Sequence, residues 1–358
     1  MMIDALAALV TAESPSGQTS ALAGCASAVG EVFSSVLGAE PSPVTVDGVT
    51  HLRWSGGGPP RVAVIGHYDT VWPVGTIRRW PFRVDGDEGT GPGAFDMKAG
   101  IVQLVHALAT LDDLTGITVL LTADEEVGSA TSRALIEETA RRAVAALILE
   151  PSAEGRLKVA RKGTGMYTLR VHGRASHAGL EPEKGANALL GLAEAVLAAG
   201  RLGRPEVGTT VTPTMAAAGT ATNVVPAEAT AELDVRVWQP EEEGRVDADI
   251  RALRTTVPGT LLEVAGGPNR PPLPQQAAAA LFARARGCAE RLGIGPLEPV
   301  AVGGGSDGNF TAAVGTPTLD GLGAVGAGAH AEGEHVVLPA MAERAALVAE
   351  LLSELASG

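Results

Sequence analysis

Three short apolar runs in the first half of the chain are each followed by a histidine or an acidic residue. They cover residues 61–66, 117–123 and 145–149, and stretches with helical periodicity, residues 98–114 and 129–143, separate them. Alternation of buried strands with helices is typical of a layered α/β sheet. Ligands bind at the carboxyl ends of the strands in such sheets, so we expect the polar residues after these runs to converge.

The pattern changes after about residue 164. Alternating polarity predicts antiparallel strands, and two helical stretches interrupt them in the order β-α-β-β-α-β, which is typical of a ferredoxin-like α+β unit. The proline-rich residues 266–274 predict a linker. We therefore expect an α/β catalytic domain, a central mixed sheet flanked by helices, that is discontinuous and carries an inserted lid. The predicted limits are 1–164 and 269–358 for the catalytic domain and 165–268 for the lid.

Composition excludes several classes of partner. The 358 residues are 45% hydrophobic, enough for one large and one smaller core, and the formal net charge of -14 opposes binding to nucleic acid or to anionic lipid. We expect no membrane span, because no apolar run reaches roughly 18 residues. An acid near the start argues against a signal peptide, so a cytoplasmic protein is expected. Cys25 and Cys288 are interpreted as buried thiols.

Five segments carry metal-ligand residues in apolar or glycine-rich settings. In VIGHYDT, His67 and Asp69 are two residues apart at a strand end and so leave the same face. His67 can then bind a metal while Asp69 orients its ring. Asp96 lies in a glycine-rich loop before a helix, where a carboxylate can bridge two ions.

The other candidate ligands are acids after strands and a histidine near the C-terminus. Glu125 and Glu126 are neighbours, and in extended chain they point to opposite sides, so one binds metal and the other faces the attacking water. Two zinc sites are predicted, with Co²⁺ or Mn²⁺ as substitutes, each with one imidazole, two carboxylates and a solvent molecule. The predicted ligands are His67, Asp96 and Glu150 for one ion, and Asp96, Glu126 and His330 for the other. His335, which follows Glu334, is an alternative to His330.

These motifs together resemble those of the zinc-dependent aminoacylase and glutamate carboxypeptidase superfamily. The resemblance extends from LVTAESPSG near the start to GAHAEGEHV near the end, and residues 67–100 are most similar to the carboxypeptidase G branch. It implies the same five metal ligands, with Glu125 as the general base and Asp69 as the residue that orients His67.

The resemblance also implies residues that bind substrate. His177 in GRASHAG corresponds to a lid histidine that reaches across a dimer interface into the partner's site, where it stabilises an oxyanion. Arg236 suits a substrate carboxylate, Asn223 corresponds to a substrate-binding amide, and Gly305 in VGGGSDGNF would offer a backbone donor. A homodimer formed through the lid is therefore expected.

The leading hypothesis is a metal-dependent amide hydrolase that releases a C-terminal amino acid, with glutamate expected, from an acyl or peptidyl amide. The alternative is an N-acyl amino acid deacylase that acts on acetylornithine or succinyl-diaminopimelate. Either substrate would be a small molecule. A hypothesis from another class, a non-catalytic dimeric binding protein, is opposed by Glu125, because such a protein has no need of a base beside a full ligand set.

Overall fold

The computed structural model describes residues 1–357, along which helices and strands alternate. The α-helices are α1 (Met2–Thr11), α2 (Thr19–Leu37), α3 (Thr76–Arg79), α4 (Ala99–Leu108), α5 (Arg133–Arg141), α6 (Ala188–Gly200), α7 (Pro240–Arg251), α8 (Gln275–Leu292), α9 (Gly308–Ala313) and α10 (Leu338–Ser357). The strands are β1 (Ser42–Val46), β2 (Val49–Ser55), β3 (Val62–His67), β4 (Arg83–Asp85), β5 (Glu88–Thr90), β6 (Ile117–Thr122), β7 (Ala145–Ile148), β8 (Leu157–Arg161), β9 (Gly163–His172), β10 (Thr210–Ala218), β11 (Glu228–Val237), β12 (Leu261–Arg270), β13 (Pro299–Val302), β14 (Thr318–Leu319), β15 (Gly326–Ala327) and β16 (His335–Val337).

The chain divides into two compact units, and the first is discontinuous in sequence. The first unit comprises Met1–Ala160, Leu273–Val302 and Ser306–Gly358, and the second comprises Arg161–Pro272 and Gly303–Gly305. The predicted insertion, residues 165–268, thus lies inside the second unit. The main segment of that unit, Arg161–Pro272, begins and ends four residues beyond the predicted limits.

A six-stranded mixed sheet organises the first unit, as predicted. Its strand order is β1-β2-β6-β3-β7-β14, in which β3, β6, β7 and β14 run parallel and β1 and β2 are antiparallel to their neighbours. Every residue of β3 is buried because helices cover both faces of the sheet. Val62 and Val64 pack into the larger core, whereas Ala63 and Ile65 pack on the opposite face against residues of α5 and α9.

Helices α4 and α5 are shorter than the predicted ranges, residues 98–114 and 129–143.

Helix α2 meets the criterion for a candidate membrane span, where none was expected. By length and composition alone, α2 (Thr19–Leu37) is apolar enough to cross a membrane. It also contributes Leu22, Val29 and Phe33 to the core of the first unit. A core helix of this length passes the same test, because small and apolar residues predominate on more than one of its faces.

The second unit has the ferredoxin-like topology predicted from its alternating pattern. Its antiparallel sheet has the order β10-β11-β9-β12, and residues of α6 and α7 share a core with it. The prediction of a linker over residues 266–274 is wrong in its first half, since β12 continues through Arg270. Glycine and proline are tolerated there because β12 is an edge strand and its register shifts between Pro268 and Arg270.

Candidate metal centre

The candidate ligands of the first unit that follow strands lie at the carboxyl ends of three neighbouring parallel strands, β3, β6 and β7. His67 is the last residue of β3 and pairs with Thr122, the last residue of β6. Glu125 and Glu126 follow β6 directly, and Glu150 lies two residues after the end of β7, the other neighbour of β3. The parallel register therefore explains why these side chains meet.

Asp96 lies between two imidazoles and presents one carboxylate oxygen to each. Its Oδ1 is 3.2 Å from Nε2 of His67, and its Oδ2 is 3.5 Å from Nε2 of His330. His67 Nε2 also lies 3.5 Å from Oε1 of Glu150, and His330 Nε2 lies 3.1 Å from Oε2 of Glu126. The five predicted ligands thus form two groups of one imidazole and two carboxylates, which share Asp96.

The ring of His67 is oriented by the backbone of Asp69 rather than by its carboxylate. Nδ1 of His67 lies 3.0 Å from the carbonyl oxygen of Asp69 and 3.5 Å from its Oδ1. The carboxylate of Asp69 instead accepts hydrogen bonds from the hydroxyl of Ser16, at 2.6 Å, and from the backbone N–H groups of Glu125 and Glu126, at 3.3 and 3.2 Å. Asp69 therefore also fixes the segment that carries the two glutamates.

Glu125 and Glu126 lie in a short 3₁₀ turn, Glu125–Val127, so the expectation of extended chain is wrong. The backbone closes into a turn because both amides point to Asp69. Oxygen atoms of Glu125 and Glu150 lie with a nitrogen of His67 within 4.8 Å of one another. An oxygen of Glu126 lies within the same distance of ligand atoms of His67 and Asp96, and Glu126 also contacts His330 at 3.1 Å.

His330, rather than His335, joins the cluster. Its side chain is half exposed, and its backbone is in the left-handed region at φ 62°, which costs a residue other than glycine about 1–2 kcal/mol. His335 instead places Nδ1 3.0 Å from the carbonyl oxygen of Gly333. Strained backbone of this kind recurs at functional sites, where the surrounding structure maintains it.

The electrostatics of the cluster favour bound positive charge. Burial alone would lower the pKa of His67, but the carboxylates of Asp69, Asp96 and Glu150 raise it well above 6.5. Asp96 and Glu126 raise the pKa of His330 to about 10. Burial alone would raise the pKa of Asp96, yet the two imidazoles lower it well below its usual range. Two protons on the imidazoles therefore occupy positions that two cations could take instead.

The donor atoms also fit metal ions. A carbonyl oxygen only accepts, so Nδ1 of His67 carries the hydrogen and Nε2 of the neutral ring presents a lone pair towards Asp96 and Glu150. Oδ1 of Asp96 is buried and accepts no hydrogen bond from any residue the structure describes. A cation can therefore take the place of the proton between the Nε2 lone pair of His67 and the carboxylates, and imidazole with carboxylate is a ligand set that zinc accepts.

Comparison with known proteins agrees with this geometry. Residues 63–354 match the profile of Peptidase family M20/M25/M40. The chain belongs to this family. It is 32% identical over 321 residues to Carboxypeptidase G2 of Pseudomonas sp. (strain RS-16), an alignment that covers 85% of this chain and 76% of that protein. The predicted class, a metal-dependent hydrolase of amide bonds, is thereby confirmed.

Two further relatives bear on the M20/M25/M40 assignment. The chain is 32% identical over 207 residues to the succinyl-diaminopimelate desuccinylase of Caulobacter vibrioides (strain NA1000 / CB15N), which covers 52% of this chain and about half, 53%, of that enzyme. The crystal structure of the M20 family metallo-carboxypeptidase Sso-CP2 from Sulfolobus solfataricus superimposes with a TM-score of 0.78 at 16% identity, covering 99% of both chains. The second likeness concerns the fold alone.

Buried groups that the sequence analysis did not identify support the centre of this M20/M25/M40 peptidase. Asp124 Oδ2 accepts from the backbone N–H and the hydroxyl of Thr131, each at 2.7 Å, and His51 Nδ1 accepts from the backbone N–H of Ala123 at 3.2 Å. Both contacts hold the chain on either side of the 3₁₀ turn. The sequence signal for Asp124 was only that an acid follows an apolar run, because its partner Thr131 lies seven residues away, beyond the range of the usual side-chain capping patterns.

The second unit holds the other predicted site residues. Nδ1 of His177 accepts from the N–H groups of Gly179 and Leu180, both at 3.1 Å, so Nε2 of the neutral ring carries the hydrogen and can donate it. The N–H of Ala178 donates to the carbonyl of Asn223 at 2.9 Å, which brings His177 and Asn223 together on exposed backbone.

Arg236 and Gly305 make polar contacts of their own within the second unit. The guanidinium of Arg236 binds the carboxylate of Asp234 through Nε and Nη2, at 2.8 and 2.7 Å. The carbonyl of Gly305 accepts from Nη1 of Arg161 at 3.0 Å. These contacts fix the orientation of both groups, and their roles towards substrate stay predictions.

Proposed function

We propose that this protein is a two-zinc carboxypeptidase that releases a C-terminal amino acid from a small acyl or peptidyl amide. Glutamate is proposed as the released residue because of the similarity to Carboxypeptidase G2. The observation that carries the proposal is the position of Asp96, whose two oxygens lie 3.2 and 3.5 Å from the Nε2 atoms of His67 and His330. A single carboxylate between two imidazoles suits two adjacent cations.

The residues present divide into two ligand sets around that shared carboxylate. His67 and Glu150 would hold one ion with Asp96, and Glu126 and His330 would hold the other. When bound, the pair of ions supplies Lewis acidity to the scissile carbonyl and lowers the pKa of water. Zinc is proposed as the metal, and Co²⁺ or Mn²⁺ fits the same donors.

Glu125 is proposed as the general base. One of its carboxylate oxygens lies within 4.8 Å of ligand atoms of His67 and Glu150, a position from which it would reach a water molecule activated there. It would take a proton from the attacking water and deliver it to the amide nitrogen, since an amine anion is otherwise a very poor leaving group. The hydrogen bonds that the backbone N–H groups of Glu125 and Glu126 donate to the carboxylate of Asp69 would hold Glu125 in position for both transfers.

Residues of the second unit are proposed to bind the substrate. Arg236 would bind the free carboxylate of the departing amino acid, with Asn223 and a backbone donor at Gly305 assisting. The carboxylate of Asp234 already aligns the guanidinium of Arg236. His177 would donate from Nε2 to the oxyanion, since its Nδ1 is engaged as an acceptor.

A homodimer formed through the second unit is part of the proposal. Strand β10 is an edge of its sheet, and most of its residues are exposed, Met215 among them. On helix α6, which packs beside β10 and β11, the side chains of Leu189, Leu190 and Leu197 are exposed. An unpaired edge beside an apolar helix face suits antiparallel pairing with a second copy about a two-fold axis. Localisation in the cytoplasm stays a prediction, in keeping with two buried free thiols.

An N-acyl amino acid deacylase is the second candidate function, which the similarity to succinyl-diaminopimelate desuccinylase favours. The bond broken is the same, an amide beside a carboxylate, and the two candidates differ in the substrate groups on either side of it. The metal centre is common to both, so substrate preference is what separates them.

The test is a substrate screen with protein loaded with Zn²⁺, in which release of the free amino acid is measured. Folate-like N-acyl glutamates, dipeptides, acetylornithine and succinyl-diaminopimelate would be compared at equal concentration. We expect release of glutamate from the acyl glutamates at the highest kcat/KM. Preferential turnover of acetylornithine or of succinyl-diaminopimelate would establish the deacylase instead, and failure to hydrolyse any of them would contradict both candidates.

A further inference from the structure

Glu334 is a fully buried carboxylate that contacts the loop carrying Asp96. Its Oε1 accepts hydrogen bonds from the backbone N–H groups of Phe95 and Asp96, at 2.8 and 2.9 Å. Its Oε2 accepts from the backbone N–H of Gly93 at 3.0 Å and from the indole N–H of Trp72 at 2.9 Å. Four donors from two separate loops thus converge on one side chain that is 0% exposed.

Burying an ionised carboxylate costs free energy unless hydrogen bonds satisfy its oxygen atoms. Burial raises the pKa of Glu334, and the backbone donors from Asp96 and Gly93 with the indole of Trp72 act in the opposite direction. Buried carboxylates persist when hydrogen bonds satisfy their oxygens, as here. The backbone carbonyl of Glu334 also accepts from the N–H of Gly91, at 3.4 Å, so main chain and side chain bind the same loop.

The segment that carries Glu334 also carries His330. The two residues are four apart, and backbone hydrogen bonds from Ala331 to Gly328 and from Glu334 to Ala331, at 2.9 and 3.1 Å, close the chain between them into consecutive turns. Glu334 therefore joins the short segment that presents His330 to the loop that presents Asp96. These two residues face each other across 3.5 Å.

We propose that Glu334 is a positioning residue that sets the separation of Asp96 and His330, and with it the affinity of the metal centre. This inference rests on the proposed two-metal function. Glu334 itself binds no ion, because both of its oxygens are directed at N–H donors. Its effect on the centre is indirect, through the backbone of the residue that bridges the two ligand sets.

The chemistry of the four contacts predicts that glutamine cannot replace Glu334. Each oxygen of the carboxylate accepts two hydrogen bonds. A carboxamide has a single oxygen, and its NH₂ group would face two further donors, whichever way it is turned. The Glu334→Gln substitution is therefore close to isosteric but loses two contacts. Glu332, two residues earlier and exposed, offers a matched control that keeps the same change of charge.

The experiment compares metal-free wild type with Glu334→Gln and Glu332→Gln in a titration with Zn²⁺ against a chromophoric chelator. We expect Glu332→Gln to bind two ions with the same affinities as wild type. We expect Glu334→Gln to bind at least one ion roughly 10–100-fold more weakly than wild type does. The visible spectrum of the Co²⁺-loaded variant should also change, because ligand geometry changes. Far-UV circular dichroism of each metal-free protein reports whether the fold is retained.

The outcomes separate this inference from the function on which it rests. If wild type binds two ions and Glu334→Gln binds them with the same affinities as wild type, the role of Glu334 is overturned and the proposed function is not. Fewer than two ions in wild type would overturn the proposed function and this inference with it. Should Glu334→Gln fail to fold, Trp72→Phe removes one of the four hydrogen bonds. Weaker binding by several-fold then supports the proposal, and wild-type affinity in Trp72→Phe overturns it.

Discussion

Two adjacent glutamates after β6 have different surroundings, and different roles are proposed for them. Glu126 faces the imidazole of His330 at 3.1 Å and is a ligand in the proposed centre. Glu125 lies beside His67 and Glu150. Asp69 accepts hydrogen bonds from the backbone of both glutamates, so a single buried side chain fixes the pair.

Replacing these glutamates one at a time should produce two different defects. Glu125→Gln removes the base but no proposed ligand, so we expect kcat to fall about 10²–10⁴-fold while two ions remain bound. Glu126→Gln weakens a ligand, and we expect a lower metal content. Elemental analysis and kinetics on the same preparations would measure both effects. Loss of metal from Glu125→Gln with normal content in Glu126→Gln would show that the assignment is reversed.

Arg236 should contribute to substrate binding rather than to the metal centre. Lysine cannot form the two parallel hydrogen bonds that a guanidinium offers to a carboxylate. We therefore expect Arg236→Lys to raise KM about tenfold or more, with unchanged metal content. Arg170→Lys, on an exposed position of the same sheet, is the control and should leave KM unchanged. An unaltered KM in Arg236→Lys would remove the residue from the site.

At the scale of secondary-structure elements, His172 connects three strands of the second unit. It lies on β9, and its two ring nitrogens are 3.0 and 3.1 Å from carboxylate oxygens of Glu228 on β11 and Glu263 on β12. Hydrogen bonds to these acids raise the pKa of His172 above 6.5. When the ring is neutral, two carboxylates from neighbouring strands flank it without a positive charge between them.

The resulting pH dependence has a definite sign. A pKa that is higher in the folded state means that the stabilising contribution is fully present below about 6.5 and is lost as the pH rises through the folded value. The difference in Tm between wild type and His172→Gln should therefore be about 1–2 °C near pH 6 and close to zero near pH 9. Thermal unfolding followed by circular dichroism would measure it. An equal difference at both pH values would contradict the prediction.

The strands of the first unit and the polar residues that meet at their ends could be predicted, because their signals are local. His67, Glu125 and Glu150 follow apolar runs directly, and parallel pairing brings such strand ends together. The roles of Glu334 and His172 could not be predicted, because their partners lie far away in the sequence. The indole of Trp72 is 262 residues from Glu334, and the two acids beside His172 are 56 and 91 residues away from it. Strand register and loop closure, which depend on the whole fold, create those contacts.

At the scale of the whole molecule, the second unit is proposed to form the interface between two copies. A charge on the exposed face of α6 should prevent this association. We expect Leu197→Asp to convert a dimer into a monomer in sedimentation equilibrium and to lower kcat, because His177 would no longer reach the partner's site. Val144→Asp, an exposed substitution in the first unit, is the control and should remain dimeric. A wild-type protein that is monomeric and fully active would contradict both the interface and the role of His177.

The central claim is that one carboxylate, Asp96, lies between two metal ions. Anomalous diffraction at the zinc absorption edge, from crystals grown with Zn²⁺, tests this claim most directly. We predict two anomalous peaks in each chain, one on either side of Asp96, the first in contact with His67 and Glu150 and the second with Glu126 and His330. A single peak, or peaks that do not contact Asp96, would contradict the account.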